Sequence, residues 1–122
     1  MTRKTSILAP VVLAAAVFLL QGCGKDPSEK TDAELGLNAQ QSQGRRVYQL
    51  YCAVCHNAYS SSGSKGPSLK GVFRREYLPS GLVANDRFVG ETISRGRKMM
   101  PALGTSLNPQ QIDDVIAYLH SL

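Results

Sequence analysis

The sequence predicts a small all-α domain with long loops. Apolar residues recur at helical spacing near both ends of the region after residue 37, and both patterns begin with a capping motif. No stretch shows the alternation typical of a strand, and no βαβ order of elements is visible. The chain of 122 residues has room for one domain.

The first helix is predicted to begin near Asn38. Gln41 follows three residues later, which is the pattern of a capping box. One face of this helix carries four residues at the spacing i, i+3, i+4 and i+7: Gly44, Val47, Tyr48 and Tyr51. Because glycine weakens a helix by up to ~1 kcal/mol relative to alanine, Gly44 on this face predicts that another helix packs closely there.

The last helix has a similar start, with Asn108 before Pro109 at the first helical position and Gln111 after it. Its apolar face again repeats at i, i+3, i+4 and i+7: Ile112, Val115, Ile116 and Leu119. Two amphipathic helices each need a partner, so we expect the terminal helices to pack on each other.

A third helix is predicted between them, beginning at Asn85 or Asp86 and ending near Arg95, before Gly96. Residues 59–71 are rich in Ser, Gly and Pro and are predicted to form a loop. Loops this long are uncommon in so small a domain unless they surround something.

The N-terminus is predicted to be an export signal. Arg3 and Lys4 precede a run of fourteen uncharged residues, 7–20, and a small residue, Gly22, stands before Cys23. The alternative is a transmembrane helix, but fourteen residues rise only about 21 Å, short of the ~30 Å hydrocarbon core.

The residues Leu20-Gln21-Gly22-Cys23 resemble the lipobox of bacterial lipoproteins, in which the cysteine is lipidated and becomes the first residue of the mature chain. Gln21 departs from the usual small residue, and ordinary cleavage with a free thiol is the alternative. Lipidation accounts for the odd cysteine among three. We therefore expect a signal peptide over 1–22, a lipid-anchored flexible linker over 23–37 and a folded domain over 38–122.

Loss of Arg3 and Lys4 with the signal would leave twelve basic and nine acidic residues, a formal charge of +3. This modest charge is not typical of a nucleic-acid-binding protein. The mature chain of 100 residues has a small core that a large apolar cofactor would help to fill.

The most specific motif is Cys52-Ala53-Val54-Cys55-His56. Two thiols one helical turn apart can add to the two vinyl groups of a haem, and His56 can then bind its iron, so this pattern predicts c-type haem attachment. A zinc site needs four ligands, and only His120 remains as a further partner. A redox dithiol usually lies on a βαβ scaffold. Chance occurrence is the third alternative.

Residues 38–122 resemble class I c-type cytochromes, all-α domains folded around one covalent haem c. Gly44 and Tyr48 stand eight and four residues before Cys52, where that family has its contacts between terminal helices, and Tyr118 matches the aromatic residue of its last helix. The stretch 66–72 resembles the family's loop on the histidine side. The resemblance implies that the Pro67 carbonyl accepts a hydrogen bond from His56 and that Leu69 packs on the haem edge.

The stretch 96–101 resembles the family's Met-Pro loop, which implies that Met100, directly before Pro101, is the sixth iron ligand. Met99 is the alternative, and both methionines could simply be packing or surface residues. A thioether ligand favours reduced iron and raises the reduction potential. His120 is expected to be an exposed residue near a helix C-terminus rather than a ligand.

Several cations have open interpretations. Arg74 or Arg75 could pair with a haem propionate or be an ordinary loop charge. Five residues flank the two ligand loops and could steer acidic partners or merely solubilise the chain: Lys65, Lys70, Arg95, Arg97 and Lys98.

The sequence therefore predicts a monohaem electron carrier rather than an enzyme. It would be lipid-anchored to the periplasmic or outer face of a bacterial membrane and would dock transiently with a redox donor and acceptor. Two alternatives remain open: a haem-bearing subunit of a larger oxidase or dehydrogenase, and a haem sensor or enzyme with an open sixth site.

Overall fold

Three α-helices supply most of the regular structure in the computed structural model, which describes residues 24–122. The elements in chain order are a 3-10 helix over Pro27–Glu29, helix α1 (Ala39–Tyr51), a 3-10 helix over Val72–Arg74, helix α2 (Asp86–Arg95) and helix α3 (Pro109–Leu119). Within these residues, bridge pairing is confined to two isolated positions, Tyr77 with Val83 and Arg97 with Met100. The predicted all-α class is confirmed.

Each helix begins at a residue that the sequence marks as a cap. The side chain of Asn38 accepts a hydrogen bond from the backbone N–H of Gln41 at 2.8 Å, and the Gln41 side chain accepts one from the backbone N–H of Asn38 at 3.0 Å. Asn108 and Gln111 form the same box at α3. Of the two candidates for α2, Asn85 is the cap. Each such cap stabilises its helix by ~1 kcal/mol.

Helices α1 and α3 cross at Gly44, as its place on the apolar face predicts. A Cβ atom built on Gly44 would overlap the backbone carbonyl of Asp114 and lie 2.9 Å from the Cβ of Tyr118. One turn further along α1, the rings of Tyr48 and Tyr118 lie 5.5 Å apart and are tilted by 48°. The absence of a side chain at Gly44 is thus what lets the two backbones approach.

The apolar faces of the three helices supply most of the core. Val47 and Tyr48 on α1 are buried, but Tyr51 is 38% exposed. Tyr51 differs from the prediction because α1 ends there, and the next buried position is taken by Cys52. The buried apolar residues contributed by α2 and α3 are Val89, Ile93, Val115, Ile116, Tyr118 and Leu119.

Residues 24–37 contain more structure than a flexible linker. Asp26 caps the short helix Pro27–Glu29, and Asp32 forms an ion pair of 2.8 Å with Arg45 on α1. The sequence prediction rested on the polar composition of this segment, but polar side chains also stabilise tight turns by capping backbone N–H groups.

The predicted signal segment 1–22 and Cys23 lie outside the described residues. None of the helices over residues 24–122 is both long and apolar enough to cross a bilayer.

Candidate functional site

The two thiols of the motif lie on a turn that continues helix α1. The backbone N–H groups of Cys55 and His56 both bond to the carbonyl of Cys52, at 3.0 and 2.9 Å. Cys52 is buried and Cys55 half-buried, and both thiols are free. One helical turn therefore presents two cysteines followed at once by an imidazole.

The pKa of the Cys52 thiol can be compared with that of cysteines in redox dithiols and zinc sites. Burial, with a smaller contribution from the nearby Cys55, raises the pKa of the Cys52 thiol to about 11. The thiolate is the form that attacks disulfides and binds zinc, and reactive dithiols have lowered pKa values. Moreover, no three His, Cys, Asp or Glu side chains among residues 24–122 are grouped closely enough to hold a metal ion. The raised pKa of the Cys52 thiol is the opposite of the lowered value that reactive dithiols have.

The imidazole of His56 is oriented by the loop that faces it. Its Nδ1 lies 2.7 Å from the carbonyl oxygen of Pro67. A carbonyl only accepts, so Nδ1 carries the proton and the neutral ring keeps its lone pair on Nε2. This is the tautomer that binds a metal through Nε2, and the bond to Pro67 increases its basicity.

Backbone hydrogen bonds hold that loop in place beside the motif. The N–H of Gly66 bonds to the carbonyl of Cys55 at 2.7 Å, and the N–H of Leu69 bonds to the carbonyl of Asn57 at 2.8 Å. The two bonds bracket His56 on one chain segment and Pro67 on the other. The position of the Pro67 carbonyl is thus set by the backbone rather than by a side-chain rotamer.

Two contacts around His56 were not predicted. The Tyr48 hydroxyl donates to the backbone carbonyl of His56 at 2.6 Å, and a Cβ on Gly66 would lie 2.6 Å from Cε1 of the imidazole. Tyr48 was predicted only as a packing residue, and a hydroxyl on an apolar helix face was the available signal that it needs a partner.

Several apolar side chains on the loops are only partly buried, as expected of residues that contact a large apolar cofactor. Four of them pack against the core while only partly buried: Leu69, Leu78, Met100 and Leu103. Pro67 is exposed apart from its carbonyl contact. Half-exposed apolar side chains on loops, two free thiols and a Nε2 lone pair together fit a covalently attached haem.

The methionines differ sharply in their surroundings. Met99 is 96% exposed, whereas Met100 is half-buried and packs against the core. Arg97 and Met100 bond to each other through both backbone N–H and C=O pairs at 3.0 Å, which closes a tight loop. Gly96 enters it with φ of 71°, and a Cβ there would lie 2.6 Å from the Met100 carbonyl oxygen. A left-handed glycine therefore sets the course of the loop.

His120 is engaged away from the motif. Its Nε2 lies 2.7 Å from Oδ1 of Asp86, and its ring stacks on Phe73 with centroids 3.9 Å apart. The side chain is 47% exposed, and His120 itself caps the end of α3. These contacts account for the position of the His120 side chain.

The two arginines after the Pro67 loop bind main-chain oxygen atoms. Arg74 donates to the main-chain oxygen of Leu122 at 2.6 Å. Arg75 donates to the carbonyls of Ser68 and Lys70 at 3.3 and 3.1 Å. Arg75 has no carboxylate partner within residues 24–122. Both keep further N–H groups with which to bind an anion.

These features define a class of protein. An all-α domain whose first helix ends in two free thiols and a metal-ready imidazole, with loops around the site, is the arrangement of a c-type cytochrome. Comparison with known proteins agrees with it. A family model described as "Cytochrome C oxidase, cbb3-type, subunit III" matches residues 39–119, and the chain belongs to this family.

Similar proteins carry cytochrome c names. The chain is 30% identical to "Cytochrome c-553-like" of Synechocystis sp. over 95% of this chain and 97% of the relative. It is 28% identical to "Cytochrome c6" of Nostoc sp. over 68% of this chain and 71% of the relative. It is 28% identical to "Cytochrome c2" of Rhodopila globiformis over 66% and 91%. The chain is thus a monohaem c-type cytochrome with covalent haem c as its cofactor.

Proposed function

We propose that this cytochrome is a membrane-tethered electron carrier in which Cys52 and Cys55 attach the haem and His56 and Met100 bind the iron. The observation that carries the proposal is the 2.7 Å contact between Nδ1 of His56 and the Pro67 carbonyl. It leaves the lone pair of Nε2 free to bind a metal ion. Haem iron, when bound, supplies the one-electron Fe(III)/Fe(II) couple.

The surroundings of the methionines support Met100 as the sixth ligand. A ligand must stand on the side of the loop that faces the interior, and Met100 does so whereas Met99 is 96% exposed. Leu69 supports the same arrangement on the histidine side, because its half-buried side chain and its backbone bond to Asn57 place it beside the motif. If His56 and Met100 held the iron, neither ligand would have to leave or enter on electron transfer, so little rearrangement would be needed.

Replacement of Gly66 by alanine tests the orientation of His56. The new methyl group would lie 2.6 Å from Cε1 and 2.9 Å from Nδ1 of the ring, so the imidazole must move and its bond to Pro67 is lost. We expect unfolding to become easier by about 1 kcal/mol, the contribution of one hydrogen bond. We also expect a higher reduction potential, since a less basic imidazole stabilises ferric iron less.

The matched control is Gly24→Ala, because a Cβ on Gly24 has nothing within 4 Å. The two proteins are compared by urea unfolding and redox titration. An unchanged reduction potential in Gly66→Ala would show that the Pro67 contact does not tune the iron ligand.

The tether is proposed to be a lipid on Cys23, which would hold the cytochrome on the periplasmic or outer face of the membrane. Its support is the sequence of the export signal, since Cys23 is the cysteine that haem attachment leaves over. A tether raises the effective concentration of the carrier near membrane-bound partners.

Cys23→Ala is expected to move the cytochrome from the membrane fraction into the soluble periplasmic fraction, with its haem absorption intact. Cell fractionation followed by spectroscopy measures both. Ser42→Ala, a change in the domain, serves as a control that should stay with the membrane. Membrane association of a Cys23→Ala chain whose mass shows that the signal 1–22 has been removed would contradict the lipid anchor.

The proposed partners are redox proteins that dock transiently. Five exposed cations near the two ligand loops support acidic docking partners: Lys65, Lys70, Arg95, Arg97 and Lys98. None of them forms an ion pair within residues 24–122. Unpaired exposed charges speed association more than they strengthen it.

A second candidate is a fixed haem subunit of a larger oxidase, which the description of the matching family favours. The two candidates differ in how the protein leaves the membrane. Mild detergent should release a free carrier as a single chain, whereas a subunit should co-purify with its complex at constant stoichiometry.

A further inference from the structure

The segment that leads from the proposed lipid site to α1 is folded onto the domain. Residues 26–37, here termed the strap, contain their own hydrogen bonds. The Asp26 carboxylate accepts from the backbone N–H of Ser28 at 2.8 Å. The Glu34 carboxylate accepts from the backbone N–H of Thr31 at 2.8 Å, and the Thr31 hydroxyl accepts from the N–H of Glu34 at 3.2 Å. The bond at Asp26 stabilises one turn, and the reciprocal bonds between Thr31 and Glu34 stabilise the next.

Arg45 fastens the strap to helix α1. Its Nη1 lies 2.8 Å from Oδ1 of Asp32, and its Nη2 donates to the carbonyl of Ser28 at 3.2 Å. The Arg45 side chain is only 8% exposed. A buried guanidinium is costly without such partners, so the strap and Arg45 stabilise each other. The hydrogen bond from Arg45 also lowers the pKa of Asp32, which keeps its carboxylate charged.

Two further contacts place the strap relative to the site. Leu37, at its C-terminal end, packs against the core. Asp26, Pro27 and Ser28, at its N-terminal end, form one wall of a cleft of about 390 Å³ whose other walls include His56 and Tyr118. The strap thus lies beside the segment that bears the haem cysteines.

We propose that the strap is a docked tether that holds the domain against the membrane surface, so that its partners are membrane proteins with a docking site near the lipid headgroups. This inference rests on the proposed lipid at Cys23. Three residue steps separate Cys23 from Asp26 and span at most ~11 Å. A free linker over 23–37 would reach ~50 Å when stretched and ~20 Å on average as a coil.

The docked tether therefore restricts the distance between domain and membrane to much less than a free linker of this length would allow. It keeps the side of the domain that carries Arg45 and the strap close to the headgroups. It also limits the range of heights at which the haem can meet a partner, which raises its effective concentration for docking sites at that height alone.

The test measures the distance between haem and membrane in the complete lipidated holoprotein. Vesicles of phosphatidylethanolamine and phosphatidylglycerol carry a headgroup fluorophore, and the haem quenches it by energy transfer. Two variants release the strap: Asp32→Ala removes the carboxylate, and Arg45→Met removes the buried cation without leaving it unpaired. Glu91→Ala is the matched control, since it breaks the exposed ion pair of Glu91 with Arg87 on α2.

We expect both strap variants to quench less than the wild type, by an amount that corresponds to about 10 Å of added distance, the difference between a ~20 Å coil and the docked tether. Glu91→Ala should match the wild type. Amide hydrogen exchange should quicken at Leu35 and Leu37, whose N–H groups bond to Thr31 and Asp32. That second readout shows release of the strap in a domain that is still folded.

The possible results separate the two proposals. Faster exchange with unchanged quenching would overturn the docked tether while leaving the lipid anchor intact. Unchanged exchange in both variants would overturn it too, because the strap would not depend on Arg45. A wild-type protein that does not bind vesicles at all would overturn the anchor and, with it, the tether.

Discussion

Met100→Ala is expected to abolish the spectrum of Met-ligated low-spin haem, whereas Met99→Ala is expected to leave that spectrum unchanged. Met100 is half-buried and held by paired backbone bonds with Arg97, while Met99 is 96% exposed. Loss of the thioether also removes the ligand that favours reduced iron, so the reduction potential should fall. The near-infrared Met-to-iron band of the oxidised protein and a redox titration measure the two effects.

Carbon monoxide adds a control to this comparison. The reduced wild-type protein should not bind it at neutral pH, because His56 and Met100 would both hold the iron, and the reduced Met100→Ala protein should bind it. A wild-type spectrum that shifts with carbon monoxide would favour a sensor or enzyme with an open sixth site. If both single variants keep the Met-to-iron band, the assignment of the sixth ligand is wrong.

Gly44→Ala is expected to lower the free energy of unfolding by about 3 kcal/mol, near the upper end of the usual range for overpacking. The added methyl group would overlap the backbone carbonyl of Asp114 and approach the Cβ of Tyr118 to 2.9 Å. Neither neighbour can turn away, since one is backbone and the other is at the root of a buried ring. Helices α1 and α3 must therefore move apart. Urea unfolding of the holoprotein measures the change.

Gly90→Ala on α2 is the matched control. Its new Cβ would lie 3.4 Å from Cδ1 of Ile116, an ordinary contact with the end of a side chain. Because alanine favours a helix over glycine, we expect this variant to gain 0.5 to ~1 kcal/mol. If the two variants change stability equally, close approach at Gly44 is not what determines the helix crossing.

Much of the fold could be predicted from the sequence because its determinants are local. Asn38, Asn85 and Asn108 stand within three residues of the N–H groups that they cap, and such short-range chemistry is visible in sequence order. Gly44 also indicated a long-range contact, since a glycine on an apolar helix face weakens the helix and is favoured there when a second helix packs closely against it.

The arrangement of the site was predictable in part. Spacing alone identified Cys52, Cys55 and His56 as a group, because all three lie on one turn. The contact of His56 with Pro67 was implied only by the family resemblance, since no periodicity links a loop carbonyl to a ring eleven residues earlier. The choice between Met99 and Met100 rested on the neighbouring proline, and the difference in exposure becomes visible only once the loop is folded.

The structure of the strap could not be predicted, for a physical reason. Arg45 and Asp32 are thirteen residues apart, and polar residues in a segment with proline and serine are equally typical of a linker. Burial of Arg45 beside the helix crossing distinguishes the two cases, and burial depends on the tertiary fold. The hydrogen bond from the Tyr48 hydroxyl to the His56 carbonyl could not be predicted either, because it also depends on the tertiary fold.

The mass of the denatured chain tests the central claim most directly. Protein produced in a cell able to attach haem, then unfolded in acid and organic solvent, should keep the mass of one haem on a peptide that contains Cys52 and Cys55. Replacing both cysteines with alanine should remove that added mass. If the wild-type chain releases its haem on denaturation and weighs no more than polypeptide plus lipid, covalent attachment at this motif is contradicted.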